Sequence, residues 1–281
     1  MKLLRYGPAG QEKPGLLDAD GVMRDLSAHV DDVAHDTLDP AKLTELASLP
    51  TIDLPEVPAD TRLGPCIAGV GKFICIGLNY SDHAAESGMA VPEEPVIFMK
   101  ATSAITGPND PIIKPRGATK LDWEIELAIV IGKTARYVDQ DAALDHVAGY
   151  CIAHDVSERS FQIERAGQWT KGKSADSFGP IGPWLVTPDT LGPVDDLVME
   201  LTVNGAAMQK GSTKTMVFGV AEIVSHLSQF MSLHPGDVIA TGTPPGVGMG
   251  MKPPQFLDVG DVVELSIAGL GTQRQTVVAV D

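Results

Sequence analysis

The stretch that most constrains this chain is Asp122-Trp123-Glu124-Ile125-Glu126-Leu127-Ala128-Ile129-Val130-Ile131. It opens as alternating acidic and apolar residues and closes as an unbroken apolar run. Successive side chains of a strand point to opposite faces, so Glu124 and Glu126 share one face while Ile125 and Leu127 take the other. Two carboxylates about 7 Å apart on a rigid strand repel each other unless a cation sits between them. A hard divalent ion with oxygen ligands answers that need. An exposed antiparallel strand with an acidic solvent face gives the same alternation. The stretch by itself leaves both readings open.

Composition narrows the setting. The 281 residues suffice for one large domain or two smaller ones, and 29 Gly with 21 Pro favour many short strands over long helices. A net charge of −16 argues against nucleic acid as a partner, since phosphates demand a basic surface. Cys66, Cys75 and Cys151 have no Cys-x-x-Cys spacing, which speaks against a disulfide framework or a zinc knuckle and fits a reducing cytoplasm. No segment reaches the roughly 20 apolar residues needed to span a bilayer, and the N-terminal apolar run is too short for a signal peptide. The expectation is a cytoplasmic protein with no membrane partner.

Residues 1–65 read as a small α+β module: strands over Met1–Tyr6 and Gly15–Met23, then helical pieces over Ala28–Val33 and Ala41–Ser48. The linker Leu54-Pro55-Glu56-Val57-Pro58 places a boundary just after it, with a second domain over 66–281. There, Phe73–Gly77 is a buried strand running into Leu78–Gly88. Ser81 or Asp82 caps a short helix on which His83 and Glu86 are neighbours. A histidine held by a carboxylate makes a general base near neutral pH; a surface histidine beside a solvated glutamate is the plainer alternative. The apolar strand Val147–His154 delivers a third carboxylate, Asp155, at its end. A helical turn from Val156 onward is expected to place Asp155, Arg159 and Gln162 on one face. The basic stretch Gln168–Asp176 stands out in an acidic chain. Val217–Leu233 has helical period. His226 and His234 read as structural. The strand from Asp237 feeds the loop Thr241-Gly242-Thr243-Pro244-Pro245-Gly246-Val247-Gly248, which lacks the Gly-Lys-Ser/Thr of a phosphate loop. It instead suits laying backbone amides and the Thr243 hydroxyl against a small ligand.

Five segments in this order resemble the fumarylacetoacetate hydrolase family, over roughly Lys72 to the C-terminus. They are Gly77-Leu78-Asn79-Tyr80-x-x-His83-x-x-Glu86, Asp122-Trp123-Glu124-x-Glu126-Leu127, Asp155-Val156-Ser157-x-Arg159, Lys173-Ser174-x-Asp176-x-Phe178-Gly179-Pro180 and Thr241-Gly242-Thr243-Pro244-x-Gly246-Val247. The resemblance implies a mainly β fold with some α: a mixed β-roll catalytic domain, usually dimeric or of higher homo-oligomeric order, behind the small N-terminal domain. It implies Mg2+ or Mn2+ held by Glu124, Glu126 and Asp155. His83 and Glu86 match a lid dyad, with the segment from Tyr80 to about Pro95 as the lid. Lys173 matches the catalytic lysine, and Arg159, Gln162 and Thr243 match substrate-binding positions. Two departures appear. Ala175 stands where the family commonly carries an aromatic residue, and Asp122, though on the face of the two glutamates, falls outside the ligand pattern.

The activity so implied is metal-dependent hydrolysis of a C–C bond in a 2,4-dioxo acid, giving pyruvate and a second acid. Ser157-Glu158-Arg159-x-Phe161-Gln162 with Gln168–Ser174 is similar to the sugar-acid branch, whose members split 2,4-diketo-3-deoxy-L-rhamnonate or L-fuconate into pyruvate and lactate. Acylpyruvase, oxaloacetate decarboxylase and 2-hydroxydienoate isomerase are the alternatives, with ureidoglycolate lyase ranked below them. A metal-stabilised β-protein without catalysis is the alternative outside the enzyme class.

Overall fold

A computed structural model of the chain describes residues 1–82 and 91–280. Among these the fold is mainly β, as the family resemblance implies. The strands are β1 (Lys2–Tyr6), β2 (Lys13–Leu17), β3 (Met23–Asp25), β4 (Phe73–Gly77), β5 (Val96–Lys100), β6 (Ile105–Thr106), β7 (Ile112–Lys114), β8 (Leu121–Asp122) and β9 (Ile125–Ile131). They continue with β10 (Val147–His154), β11 (Ser157–Glu158), β12 (Gly179–Val186), β13 (Val198–Val203), β14 (Ala206–Ser212), β15 (Val238–Ala240), β16 (Val262–Ile267) and β17 (Gly271–Ala279). The larger sheet runs β3-β2-β1-β12-β10-β9-β15-β4-β5, with β6 beside β12, and a second runs β14-β13-β16-β17-β7.

The acidic strand sits in the interior of the larger sheet and is covered on both faces. Ile125, Leu127, Ile129 and Ile131 face one core together with Leu201 and Leu265 of the second sheet and Ile223 and Leu227 of the helix Val220–Phe230. Ala128 and Val130 face another core with Leu38, Leu46 and Ile181. The apolar run beyond Leu127 therefore follows from two-sided burial, as in strands sandwiched between layers.

The N-terminal segment has strands and a helix of its own, the latter over Pro40–Ala47 with the Asp39 carboxylate accepting from Ala41 N–H. The helical piece expected over 28–33 is a turn instead. Asp25 accepts from both the N–H and the hydroxyl of Ser27, a local bond that competes with helix initiation. β1 pairs antiparallel with β12, so hydrogen bonding crosses from the N-terminal segment into the larger sheet. We retain the division near residue 65 as a proposal on the strength of a small separate cluster of Leu4, Tyr6, Met23 and Val57. Cys66, Cys75 and Cys151 are buried thiols. Among the described residues no helix is long and apolar enough to cross a membrane.

Candidate active site

Strand pairing assembles the acidic cluster. β10 runs antiparallel to β9, with Ala153 opposite Glu126 and His154 opposite Ile125. One step further, Asp155 N–H donates to the Glu124 carbonyl (3.0 Å), so Asp155 lies across from Glu124. Cross-strand partners share a face, and Glu124, Glu126 and Asp155 therefore converge. One oxygen from each lies within 4.8 Å of the others, and all three residues are buried. The exposed acidic strand considered above is thus set aside. Three hard oxygen donors packed this closely suit Mg2+ or Mn2+, with coordination positions left for a ligand.

Cations frame the cluster. Lys173, at the end of the helix Thr170–Lys173, donates to Glu124 Oε2 and Asp155 Oδ2, each at 2.6 Å. Arg159 donates from Nη2 to Glu124 Oε1 (2.6 Å), from Nη1 to Gln162 Oε1 (3.0 Å) and from Nε to Asp122 Oδ2 (2.8 Å). Arg159 and Gln162 come together on one helix face as expected, but Asp155 does not join them there. The helix begins only at Arg159, after Glu158 accepts from Ser160 N–H as its cap, so Asp155 is not on its face. Asp155 joins the site through the sheet.

Electrostatics separate the two glutamates. Burial alone would raise Glu124, but Arg159 and Lys173 together hold its carboxyl well below the usual range. Glu126 goes the other way: burial, then the charges of Asp155 and Glu124, push it well above the usual range. Among the described residues its donor is Gly242 N–H, at 2.8 Å. Gly242 aims that N–H from φ +100°, a conformation few residues other than glycine adopt. Lys173 stays charged despite burial, because Asp155 and Glu124 raise it above the ordinary lysine value.

A metal held by this cluster would take Glu126 as the carboxylate, and because burial and its acidic neighbours push that carboxyl up, binding would compete with its proton. Affinity for Mg2+ is then expected to rise with pH, approaching about tenfold per unit where one proton is released. Titration calorimetry in buffers of different ionisation heat checks this. Equal affinities at pH 5.5 and 7.5 with no proton release would overturn the expected linkage between metal binding and the Glu126 proton.

The cluster opens into a cavity of about 610 Å³ lined by Ile76, Leu78, Phe98, Gln162, Trp169 and Thr243, among others. Trp169 packs so close to β4 that a Cβ on Gly77 would lie 2.7 Å from its ring, and it meets Phe98 edge-on at 5.3 Å. The Lys173 ammonium lies 5.1 Å from the Phe98 ring centre. Phe98 thus supplies the ring beside this lysine. Thr243 reaches the cavity wall, yet its hydroxyl already donates to Ile125 O (2.9 Å) and accepts from Gln209 Nε2 (2.8 Å). His83 and Glu86 lie outside the described residues. The chain leading to them is anchored by Asn79, whose side chain bonds Phe218 N–H, Phe218 O and Thr241 O.

The roles of three residues escape a reading of the sequence. Lys100, fully buried at the end of β5, donates to Asp155 Oδ1 and to Val156 O. Gln209 accepts from Ile125 N–H (3.0 Å) and ties the second sheet to the start of β9. Asp122 binds Arg159.

Residues 72–278 match the sequence profile of the fumarylacetoacetate (FAA) hydrolase C-terminal family. The chain belongs to the fumarylacetoacetate hydrolase family. A curated relative from Burkholderia ambifaria, named only as a hydrolase, is 60% identical over 277 residues, 98% of each chain. A solved fumarylacetoacetate hydrolase from Exiguobacterium antarcticum is 39% identical with a TM-score of 0.86 over 100% of both chains. A solved 2-hydroxyhepta-2,4-diene-1,7-dioate isomerase from Mycobacterium marinum is 34% identical, TM-score 0.80, over 99% of this chain and 98% of that one. Membership in the family thus spans hydrolases and isomerases on one scaffold, and the chain is an enzyme of that hydrolase/isomerase group.

Proposed function

We propose that this protein is a divalent-metal-dependent hydrolase that cleaves the C3–C4 bond of a 2,4-dioxo acid. The observation that carries the reading is the buried Glu124–Glu126–Asp155 triad opening, beside Lys173 and Arg159, into one cavity. Mg2+ or Mn2+ would be held by these three residues and, when bound, supplies Lewis acidity toward a 2-oxo acid. Arg159 has five N–H groups and bonds protein through three nitrogens, leaving donors for a carboxylate. The Lys173 ammonium has three N–H groups, two of them committed to Glu124 and Asp155, so the third is left for an oxyanion developing at C4. His83, oriented by Glu86, takes the proton from the water that attacks C4. The C3–C4 pair then leaves on the pyruvate fragment as an enolate, which a proton at C3 quenches.

For the substrate we propose 2,4-diketo-3-deoxy-L-rhamnonate or L-fuconate, cleaved to pyruvate and lactate, on the likeness of 157–162 and 168–174 to the sugar-acid branch. The homodimer and the cytoplasmic setting stay proposals on the same footing. A second reading, isomerisation of a 2-hydroxydienoate, draws support from the isomerase scaffold of M. marinum. The deciding assay is a panel of 2,4-dioxo acids, both diketo-deoxy sugar acids included, with Mg2+ and continuous measurement of pyruvate. Stoichiometric pyruvate and lactate are expected. Isomerisation of a 2-hydroxydienedioate with no pyruvate from any dioxo acid would hand the site to the second reading.

A further inference from the structure

We infer that Asp122 is a positioning residue that fixes two parts of the substrate site at once: Arg159 at the metal end, and a tail-recognition turn over residues 248–254. Asp122 is fully buried. Its Oδ1 accepts from Gly248 N–H (2.7 Å) and Trp123 N–H (2.8 Å); its Oδ2 accepts from Met249 N–H (3.0 Å) and Arg159 Nε (2.8 Å). A carboxylate offers about four lone-pair positions, and all four are taken. Asp122 therefore has none left for a metal, which accounts for an acidic strand that carries three acids on one face and contributes two to the triad.

The turn is closed on itself and on the strand. Gly248 O accepts from Gln255 N–H (3.0 Å) and Met251 N–H (3.3 Å), and Leu257 N–H returns to Leu121 O (2.7 Å). Met249, Met251 and Pro254 line the same cavity as Phe98, Trp169, Arg159 and the two glutamates. This is an apolar wall suited to the acyl end of a 2-oxo acid whose carboxyl end lies at Arg159. One side chain sets the spacing between the two.

The inference rests on the 2-oxo acid reading of the pocket but not on hydrolysis, so it is tested by binding alone. Pyruvate, 2-oxobutanoate, 2-oxopentanoate and 2-oxohexanoate cannot undergo the cleavage, and their dissociation constants are measured calorimetrically on the Mg2+-loaded protein. Affinity is expected to rise with each methylene, up to roughly fourfold, the value for burying one CH2. In Asp122→Asn an amide NH2 meets donors, the turn is released, and the rise per methylene falls towards none while pyruvate itself binds more weakly. The double variant Met249→Ala/Met251→Ala also flattens the series, and combining it with Asp122→Asn flattens it no further. A carboxylate that merely stabilises the fold would lower the melting temperature and leave the slope unaltered. That outcome overturns the inference, as does a flat series in the wild type or an unaltered slope in the double variant. Should Asp122→Asn not fold, hydrogen exchange on the wild type decides: 2-oxohexanoate must protect 248–255 more than pyruvate does, and equal protection overturns the inference.

Discussion

Glu126→Gln is expected to abolish turnover while leaving the melting temperature unchanged or slightly raised. The loss follows from replacing one of the three proposed carboxylate ligands with a neutral, weakly ligating amide at a site proposed to need a dication, on the order of a thousandfold or more in kcat. The neutral effect on stability follows from the company Glu126 keeps. It is buried beside Glu124 and Asp155, its carboxyl is pushed up by burial and by those charges, and Gly242 N–H is the donor it bonds. Glutamine keeps an acceptor for that N–H and removes like-charge repulsion. Glu124→Ala and Asp155→Ala should be equally inactive but costly to the fold. Each strips a buried partner from Lys173, and Glu124 also from Arg159, a kind of loss worth about 3–5 kcal/mol. Thermal melts beside Mg2+-dependent assays separate the two classes. Full activity of Glu126→Gln after exhaustive chelation would sink the metal assignment.

His83→Ala is expected to lower diketo acid cleavage by about a hundredfold to ten-thousandfold, the span of general-base contributions, with only a modest effect on pyruvate or metal affinity. Hydrolysis needs a water set against C4 and a base to activate it. Decarboxylation of oxaloacetate needs neither, only an electron sink, and should survive the substitution in part. In 18O-labelled water the label should enter the carboxylate of the acyl product, lactate for the sugar-acid substrates, and not that of pyruvate. If both activities fall together, or oxaloacetate proves much the better substrate, the reaction is decarboxylation at the same site. A rise in KM alone would make His83 a binding residue.

The parts of the site that could be read in the sequence are those carried by local periodicity. Alternation put Glu124 and Glu126 on one face, and an apolar strand ending in an acid brought in Asp155. What stayed hidden depends on contacts between residues far apart in the chain. Lys100 ends the strand Val96–Lys100 with no local mark of its role, since its partner Asp155 is 55 positions away. Gln209 lies on a strand of the other sheet and reaches β9 across 84 positions. Asp122 could be seen to share the glutamate face, but not that two amides 126 and 127 positions later would occupy it. The grouping of Asp155 with Arg159 and Gln162 was readable, though the helix face unites only Arg159 and Gln162 and sheet pairing brings in Asp155.

The two-sided burial of β9 also bears on how such an enzyme changes over generations. A substitution at any apolar position between Ile125 and Ile131 meets a packed core on one face or the other, so the strand has no free face on which to drift. Met249 and Lys252, by contrast, are exposed residues at the cavity, where replacement disturbs little else. A lineage facing a new acyl group can rework the turn by ordinary surface substitutions and inherit the acid cluster unaltered.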